Sequence, residues 1–468
     1  MSRKQQLLKR HRRNKRMGLL ISLIALIACG VLVAWWLPVV LALLGWIAHE
    51  AWLADHLFYA AQDDYRYTFP ADSQRPAVRF DGDRLVAEQP LNLLGDETLI
   101  VALKVKSSWL GRFFDPCVQI VGETVDTQTF ERGVNGLRYL NLTGNARALA
   151  AGDVRLRGRF CRVQGQPALW AFRQPDVRDQ RVMVIAPHAD DAELAAFGVY
   201  STAKEAWIVT LTAGEIEAQH YQQMGLERAE AARMKGRLRA WDSITVPRWA
   251  GVPQEQCAQL GYFCLQLPAM QAAPDQPMAS READLSDTRL FRQFNTFALP
   301  GDEDGAPTWN NLLADLRAVI LRARPEVIVL PHPSIDPHPD HICAHDAVME
   351  ALNGLAWQPS VVLGYANHLH DNDRWPMGDS GDGITLPPVF DATQVLEPCC
   401  LELTLGQQRD KAMALGMMHD LQPRAALKRR LRRAIQQCLA SRKPSPYGEN
   451  EFFRKAVRRH ELFWVLKK

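Results

Sequence analysis

The chain has 468 residues, 47% of them hydrophobic and 23% charged, which excludes a collagen, a low-complexity polymer and a wholly disordered chain. At about 100–200 residues per domain, the length predicts two or three domains. Residues 1–16 hold eight lysines and arginines and no acid, and the rest of the chain holds 47 basic and 52 acidic residues. Because the body lacks a positive excess, we expect no nucleic-acid partner.

The N-terminus has the pattern of a membrane segment. Residues 17–48 contain no charged side chain and directly follow 1–16, which we predict to be a basic cytoplasmic tail. A bilayer core needs about 20 apolar helical residues, whereas the apolar region of a signal peptide has about 7–15. We therefore predict a retained transmembrane segment over 17–55. Its length fits one tilted span or a hairpin punctuated at Pro38, and both remain open.

The side of the membrane on which the body lies depends on that topology. One span places the body in the periplasm of a bacterium, and a hairpin returns it to the cytoplasm. The nine cysteines include no C-x-x-C pair, which favours reduced thiols and a cytoplasmic body. We expect the protein in the bacterial inner (cytoplasmic) membrane, with the lipid bilayer as a partner and the cytoplasmic side favoured.

A small β-rich accessory domain is predicted over residues 76–175. Short runs such as TLIVALKVK and LRYLNLTG alternate apolar and polar residues and are separated by glycine, aspartate and asparagine. This pattern is typical of an antiparallel, sandwich-like domain. It contains no recognisable catalytic constellation, so a spacer role is favoured over sugar binding.

The remainder, 180–468, is predicted to be an α/β domain. Continuous apolar runs alternate with helical patterns, which indicates a doubly wound, mostly parallel, Rossmann-like sheet whose sites lie beyond the carboxyl ends of its strands. Residues 250–308 are weakly periodic and are expected to form a functional lid or substrate wall. The predicted strands are 181–187, 206–212, 243–247, 326–331 and 360–366, and the predicted helices are 226–241, 310–325 and 342–352.

Two clusters of histidine and acid follow two of these strands. PHADDAE (187–193) follows the first strand, and HPDH (338–341) comes seven residues after the strand EVIVLP. Imidazole and carboxylate together suit a divalent first-row metal, and three protein ligands with an open position define a catalytic zinc site. His188 and Asp191 can face one ion, with a third ligand from the second cluster. Taken singly, the first cluster fits a helix N-cap and the second a polar turn.

The paired motifs resemble those of the PIG-L/LmbE superfamily of zinc-dependent N-deacetylases. TAGE (212–215) and KAMALGMMHDLQ (411–422) also match features of that family, and the resemblance extends over about 180–460. It implies Zn²⁺, or another divalent first-row metal, as cofactor. The ligands it implies are His188, Asp191 and His341.

The resemblance also implies roles around the ion. Asp190 is the general base, and His338 stabilises the oxyanion and helps the amine leave. We expect His338 to be protonated and Asp340 to hold its imidazole as a partner in catalysis. The family pattern further suggests Glu215 and Arg228 as substrate-binding residues.

The function implied is hydrolysis of an N-acetyl group from an amino sugar of the GlcNAc or GalNAc type. The predicted anchor suggests a lipid-linked or cell-surface glycan or glycolipid as substrate, such as lipopolysaccharide core. The order of anchor, β-domain and deacetylase domain is similar to that of DnpA-like de-N-acetylases. A metal-dependent amidase acting on another acylated amine and a catalytically silent membrane scaffold remain alternatives.

Overall fold

A computed structural model describes residues 3–467 except 56, 92 and 424. Met1, Ser2 and Lys468, which belong to the predicted tail and the predicted α/β domain, lie outside the described residues. The helices are α1 (Arg3–Leu32), α2 (Leu37–Ala48), α3 (Ala146–Ala150), α4 (Asp191–Tyr200), α5 (Gln219–Gln222), α6 (Arg228–Thr245), α7 (Leu267–Ala272), α8 (Arg289–Arg292), α9 (Trp309–Ala323), α10 (Pro339–Leu352), α11 (Leu405–Met417), α12 (Leu427–Ala440) and α13 (Glu451–Ala456).

The strands form three sheets. They are β1 (Val78–Asp81), β2 (Arg84–Ala87), β3 (Thr98–Ser107), β4 (Cys117–Val121), β5 (Val125–Thr129), β6 (Asn135–Asn141), β7 (Val154–Arg159), β8 (Cys161–Phe172), β9 (Arg181–Ala186), β10 (Glu205–Thr212), β11 (Cys257–Tyr262), β12 (Val327–Pro331), β13 (Val361–Tyr365), β14 (Pro398–Glu402) and β15 (His460–Lys467). All fifteen lie C-terminal to the two apolar helices α1 and α2.

The N-terminal apolar run forms two consecutive helices. α1 ends at Leu32, and α2 begins at Leu37 with Pro38 in its first turn, where a proline needs no backbone N–H partner. The segment Leu8–Leu32 is long and apolar enough to cross a membrane, and Leu37–Leu53 forms a shorter apolar helix. An apolar N-terminal helix is thus present, while the retained anchor and its topology stay predictions.

The first two sheets are antiparallel and enclose one core. A five-stranded sheet has the order β1-β2-β7-β4-β5, and a three-stranded sheet has the order β6-β3-β8. Along β3, Val101 and Leu103 face the core shared with the five-stranded sheet. Ile100 and Ala102, which alternate with them, face a second core that contains Leu462 and Trp464 of β15. The β-rich part of the chain is therefore packed on the α/β part through the opposite face of the three-stranded sheet.

The third sheet has seven strands in the order β11-β10-β9-β12-β13-β15-β14. The first five are parallel, and β15 and β14 are antiparallel to their neighbours. Alternate residues of β9 enter two different cores, Val184 on one face and Ile185 on the other, because the sheet is covered on both sides. The predicted α/β class with a mostly parallel sheet is confirmed, and the domain boundaries stay predictions.

Two of the predicted elements are wrong. Residues 243–247 were expected to form a strand, but α6 continues through Thr245 because Ile244 is buried in the core. Such packing overrides the β-propensity of isoleucine, threonine and valine. The next strand, β11, instead lies inside 250–308, which was predicted to be a loop. All six residues of β11 are buried, since α6 and α8 pack against this strand.

A buried ion pair joins α11 to β15. Lys411 Nζ lies 2.7 Å from Glu461 Oε1, and each side chain is only 1% exposed. Glu461 also accepts hydrogen bonds from the backbone N–H groups of Gly198 and Val199 in α4. This pair therefore ties together three elements that support the cluster described below.

Lys411→Ala should lower the free energy of unfolding by about 3–5 kcal/mol, because it leaves the Glu461 carboxylate buried without a counter-charge. Denaturant titration followed by circular dichroism measures the change. Arg409→Ala, an exposed position on the same helix, is the matched control and should change stability by less than about 0.5 kcal/mol. Equal stability of the two variants would contradict the prediction.

Candidate metal centre

Histidines and acids gather at the carboxyl ends of five adjacent parallel strands. From β9 the chain proceeds outward through β10 and β11 on one side, and β12 is followed by β13 on the other. The order of strands therefore reverses between β9 and β12, which is where ligands bind in sheets of this type. The two predicted motifs follow these two strands, and they meet here.

The three predicted ligands lie within contact distance of one another. His188 Nδ1 is 3.1 Å from Asp191 Oδ2 and 3.4 Å from His341 Nε2. His341 Nε2 is 3.2 Å from the same Asp191 oxygen. Two ligands bound at about 2.0–2.1 Å to one tetrahedral zinc are about 3.3–3.4 Å apart. The three atoms therefore have the spacing of ligands that share one such ion, and their chemistry suits it.

Carboxylates fix which nitrogen of each histidine faces the cluster. His341 Nδ1 lies 2.9 Å from Asp336 Oδ2, and His188 Nε2 lies 3.3 Å from Asp340 Oδ2. Each carboxylate can accept the ring N–H on its own side, which leaves the other ring nitrogen, the one that faces Asp191, as the candidate ligand atom. Metal-binding histidines are commonly oriented in this way.

The cluster is buried and rich in negative charge. Asp191, Asp336 and Asp340 are at most 2% exposed. Burial alone would lower the pKa of His341, but the carboxylates of Asp191 and Asp336 raise it to about 9. His338 Nδ1 and Asp340 Oδ1 are buried and have no hydrogen-bond partner among the described residues. Both observations fit a site that accepts a cation.

Asp336 is a supporting residue that the sequence analysis did not identify. It accepts hydrogen bonds from His341 Nδ1 and from the backbone N–H groups of His338, Asn367 and His368. One carboxylate thus orients a ligand and joins the loops after β12 and β13.

Asp336→Asn should weaken zinc binding by about 10–100-fold, because His341 loses the carboxylate that orients its ring. Zinc competition titrations measure the affinity. Asp346→Asn is the matched control, since Asp346 lies on α10 and pairs with His345 at the surface. Unchanged affinity in Asp336→Asn would remove Asp336 from the support of the site.

Asp190, the predicted general base, is held by an arginine. Arg239 Nη2 donates to Asp190 Oδ1 over 2.9 Å, and Arg239 also pairs with Asp420. Gly214, with φ +60°, allows this arrangement because a Cβ there would lie 2.4 Å from Arg239 Nε. Asp190 Oδ2 accepts no hydrogen bond from any residue that the structure describes. Arg239 was not found from the sequence.

Two expectations about His338 and Asp340 need correction. Asp340 accepts from His188 and from the backbone N–H of Leu265, and no hydrogen bond joins it to His338. Burial and the nearby rings of His188 and His341 lower the pKa of His338, so its imidazole is neutral at pH 7 rather than protonated. A neutral imidazole still carries one N–H that can donate to an oxyanion.

The two predicted substrate-binding residues, Glu215 and Arg228, are both paired with other residues of the chain. Glu215 is wholly buried and accepts hydrogen bonds from Ser280 Oγ and from the backbone N–H of Cys264. It therefore fixes the segment after β11. Arg228 is 67% exposed and pairs with Glu282 at the surface, and its role as a substrate contact stays a prediction.

Strand ends that carry no motif supply further residues. His368, after β13, stacks on His338 with ring centroids 5.3 Å apart, and its potential ligand atom lies within 4.8 Å of those of Asp191 and His341. Asn367 Nδ2 donates to Asp191 Oδ1 over 2.7 Å. Cys264 Sγ, after β11, lies 3.6 Å from His188 Nε2. Their only sequence signal is a position just beyond a buried strand.

Comparison with known proteins agrees with this site. Residues 183–352 match the family model PIG-L, GlcNAc-PI de-N-acetylase. No curated protein sequence matches the chain significantly. The fold and the cluster of histidines and acids define an α/β domain with a candidate metal centre. The matched segment is a PIG-L/LmbE family deacetylase domain, which confirms the resemblance seen in the sequence.

Solved structures with weak similarity include two deacetylases and a hydratase. N,N'-diacetylchitobiose deacetylase from Pyrococcus horikoshii is 12% identical, with 62% of this chain and 84% of that chain covered and a TM-score of 0.33. The zinc-inhibited form of teicoplanin deacetylase Orf2 is 17% identical, with 61% and 97% covered and a TM-score of 0.32. The hydratase GalB from Pseudomonas putida KT2440 is 15% identical, with 55% and 83% covered and a TM-score of 0.31. Similarity at this level carries no argument about the reaction.

Proposed function

We propose that this protein hydrolyses the N-acetyl group of an amino sugar in a lipid-linked or cell-surface glycan, releasing acetate and a free amine. The observation that carries the proposal is the triangle of His188, Asp191 and His341, with sides of 3.1–3.4 Å, directly beside Asp190. The PIG-L family domain over 183–352 supports the same reaction.

His188 Nδ1, Asp191 Oδ2 and His341 Nε2 would hold a divalent metal, for which zinc is the best candidate given the nitrogen and oxygen donors. When bound, such an ion supplies Lewis acidity, which polarises a carbonyl and makes water more acidic. Asp336 and Asp340 are positioning residues, since each holds one of the two ligand imidazoles.

Asp190 moves the proton. Arg239 occupies Oδ1, so Oδ2 is the oxygen that takes a proton from the attacking water. The water oxygen bonds to the carbonyl carbon, the C–N bond then breaks, and the same proton passes to the leaving amine nitrogen. His338 donates its N–H to the oxygen on which negative charge develops. We assign protonation of the amine to Asp190, since it already holds the proton taken from the water.

The membrane-associated part of the proposal rests on α1, α2 and α12. The apolar helices end in the helical turn His49–Leu53, and Gln436 Nε2 of α12 donates to the carbonyl of Glu50 in that turn. Leu427 and Leu431 of α12 are 70% and 45% exposed beside several arginines, as in helices that lie on an anionic bilayer surface. We place the protein at a bacterial inner membrane, with its α/β domain on the cytoplasmic side and lipopolysaccharide core as a candidate substrate.

Acetate release tests the proposal. The detergent-solubilised full-length protein, loaded with zinc, is incubated with N-acetylglucosamine and N-acetylgalactosamine conjugates and with N-acetylated non-sugar amines. Release from the sugars supports the proposal, and treatment with a chelator should abolish it until zinc is restored. Release from the non-sugar amines alone would replace it with a general amidase. No release from any of them, by protein that binds zinc, would contradict a hydrolase.

A further inference from the structure

A large basic cavity lies outside the PIG-L family domain. We call it the basic cavity. It has a volume of about 1450 Å³ and is bounded by α12, the following segment 441–450, α13 and strands β4, β5 and β7. Sites for small ligands usually measure about 300–1,000 Å³, so this one has room for a saccharide with a further group.

The lining of the basic cavity carries unbalanced positive charge. Eleven lysines and arginines line it against seven aspartates and glutamates. Asp55 and Asp115 are already shared by Arg374 and Arg442. Among the described residues, no acid forms an ion pair with Arg159, Arg429, Arg430 or Lys455. These four cations are therefore available to an anionic ligand.

One of these four cations, Lys455, is partly buried in the lining of the cavity. Its ammonium lies 5.9 Å from the centre of the Phe452 ring, and it forms no ion pair with an acid among the described residues. Burial and the neighbouring Arg454 lower the pKa of Lys455 to about 8. An anion beside it would raise that pKa again.

Two aromatic rings, those of Phe452 and His368, lie between the basic cavity and the candidate metal centre. Phe452 lines the cavity, and its ring centroid lies 6.5 Å from that of His368. His368 in turn lies 5.0 Å from His341, centroid to centroid. Phe114 and Tyr447 also line the cavity and offer faces for the apolar side of a sugar ring. Gln436 of α12 also donates a hydrogen bond to Glu50 in the helical turn His49–Leu53, which follows the apolar helices.

We propose that the basic cavity binds a phosphate group of the substrate, so that the amino sugar deacetylated at the metal centre is a phosphorylated one. This inference rests on the proposed function, because it takes the phosphorylated sugar to be the substrate of the metal centre. Arginine and lysine are the side chains that recognise phosphate oxygens. The phosphate is either carried by a free sugar phosphate or shared with a lipid, and the chemistry of recognition is the same.

Binding to the full-length protein in detergent tests this inference without a need for turnover. Isothermal titration compares N-acetylglucosamine 1-phosphate with N-acetylglucosamine. The phosphate should tighten binding by about tenfold or more in the wild type, and Arg429→Gln/Arg430→Gln and Lys455→Gln should each remove most of that gain. Lys428→Gln, on the same helix but outside the lining, is the matched control and should keep it.

A second titration distinguishes the source of the phosphate. Dihexanoyl phosphatidylglycerol and dihexanoyl phosphatidylcholine differ in net charge. A preference for the anionic lipid that is lost in Arg429→Gln/Arg430→Gln identifies a lipid-linked phosphate, and a response to the sugar phosphate alone identifies a free one. Either response supports the site.

The inference is overturned if phosphate gives no gain in affinity, or if the gain survives in both cavity variants, since the anion then binds elsewhere. Circular dichroism checks that each variant is folded, and Arg429 and Arg430 are exposed positions. Phosphate-dependent binding by a protein that releases no acetate would leave the cavity site standing and remove the proposed function. Acetate release with no effect of phosphate on binding would leave the proposed function standing and remove the cavity site.

Discussion

Asp190→Asn should slow acetate release by about 10²–10⁴-fold while the protein keeps its zinc, because an amide cannot accept the proton of the attacking water. The substitution preserves size and leaves an oxygen for Arg239, which now donates to Asp190 Oδ1. Acetate release and zinc content, measured on the same preparation, separate loss of the base from loss of the metal.

Asp420→Asn is the matched control for Asp190. Asp420 is the second acid that pairs with Arg239, and it lies on the far side of that guanidinium from the proposed reaction. If Asp190 matters only as a partner of Arg239, the two variants should be equally slow. We expect Asp420→Asn to retain most of the activity. Full activity of Asp190→Asn would exclude Asp190 as the base.

His341→Ala should abolish both zinc binding and acetate release. His341 is fully buried, and its Nε2 lies 3.2 Å from Asp191 Oδ2 and 3.4 Å from His188 Nδ1. Removing one of three ligands should cost more than the about 10–100-fold that loss of an outer partner costs. Zinc per chain after dialysis, measured by atomic absorption, gives the result.

His345→Ala, one turn further along α10, is the control for His341→Ala and should retain zinc and activity. His188→Ala provides a second test because the His188 side chain is 12% exposed and its loss disturbs the core less. If both ligand variants fold and still hold one zinc per chain, the ion lies elsewhere and the mechanism proposed for Asp190 no longer applies.

The sequence predicted the site better than it predicted the sheet around it. His188, Asp191 and His341 belong to two motifs, each next to a continuous apolar strand, so their meeting could be expected from the topology of parallel sheets. β11 escaped detection because its six residues, CAQLGY, include glutamine and glycine and show no alternation. Residues 243–247 were wrongly predicted to be a strand for the opposite reason. Their local preference is for a strand, but burial of Ile244 in the core continues α6 through Thr245.

Partners that come from distant parts of the chain could not be inferred. Arg239 lies 49 residues from Asp190, and Asp340 lies 152 residues from His188, so no local spacing links them. Asp340 was assigned to His338, two residues earlier in the chain. The fold assigns it to His188 instead, because α10 begins at Pro339 and carries the Asp340 side chain toward the end of β9.

The amino-acid sequence by itself determined the apolar N-terminal helix, the α/β class and the identity of the clustered histidines and acids, since these depend on local composition and on strands that share one edge. Only the tertiary structure decided which carboxylate orients which imidazole, that burial lowers the pKa of His338, and that α12 and the β-rich part enclose a basic cavity. Hydrogen bonds, desolvation and enclosed volume arise between segments far apart in the chain, and they exist only once those segments have packed together.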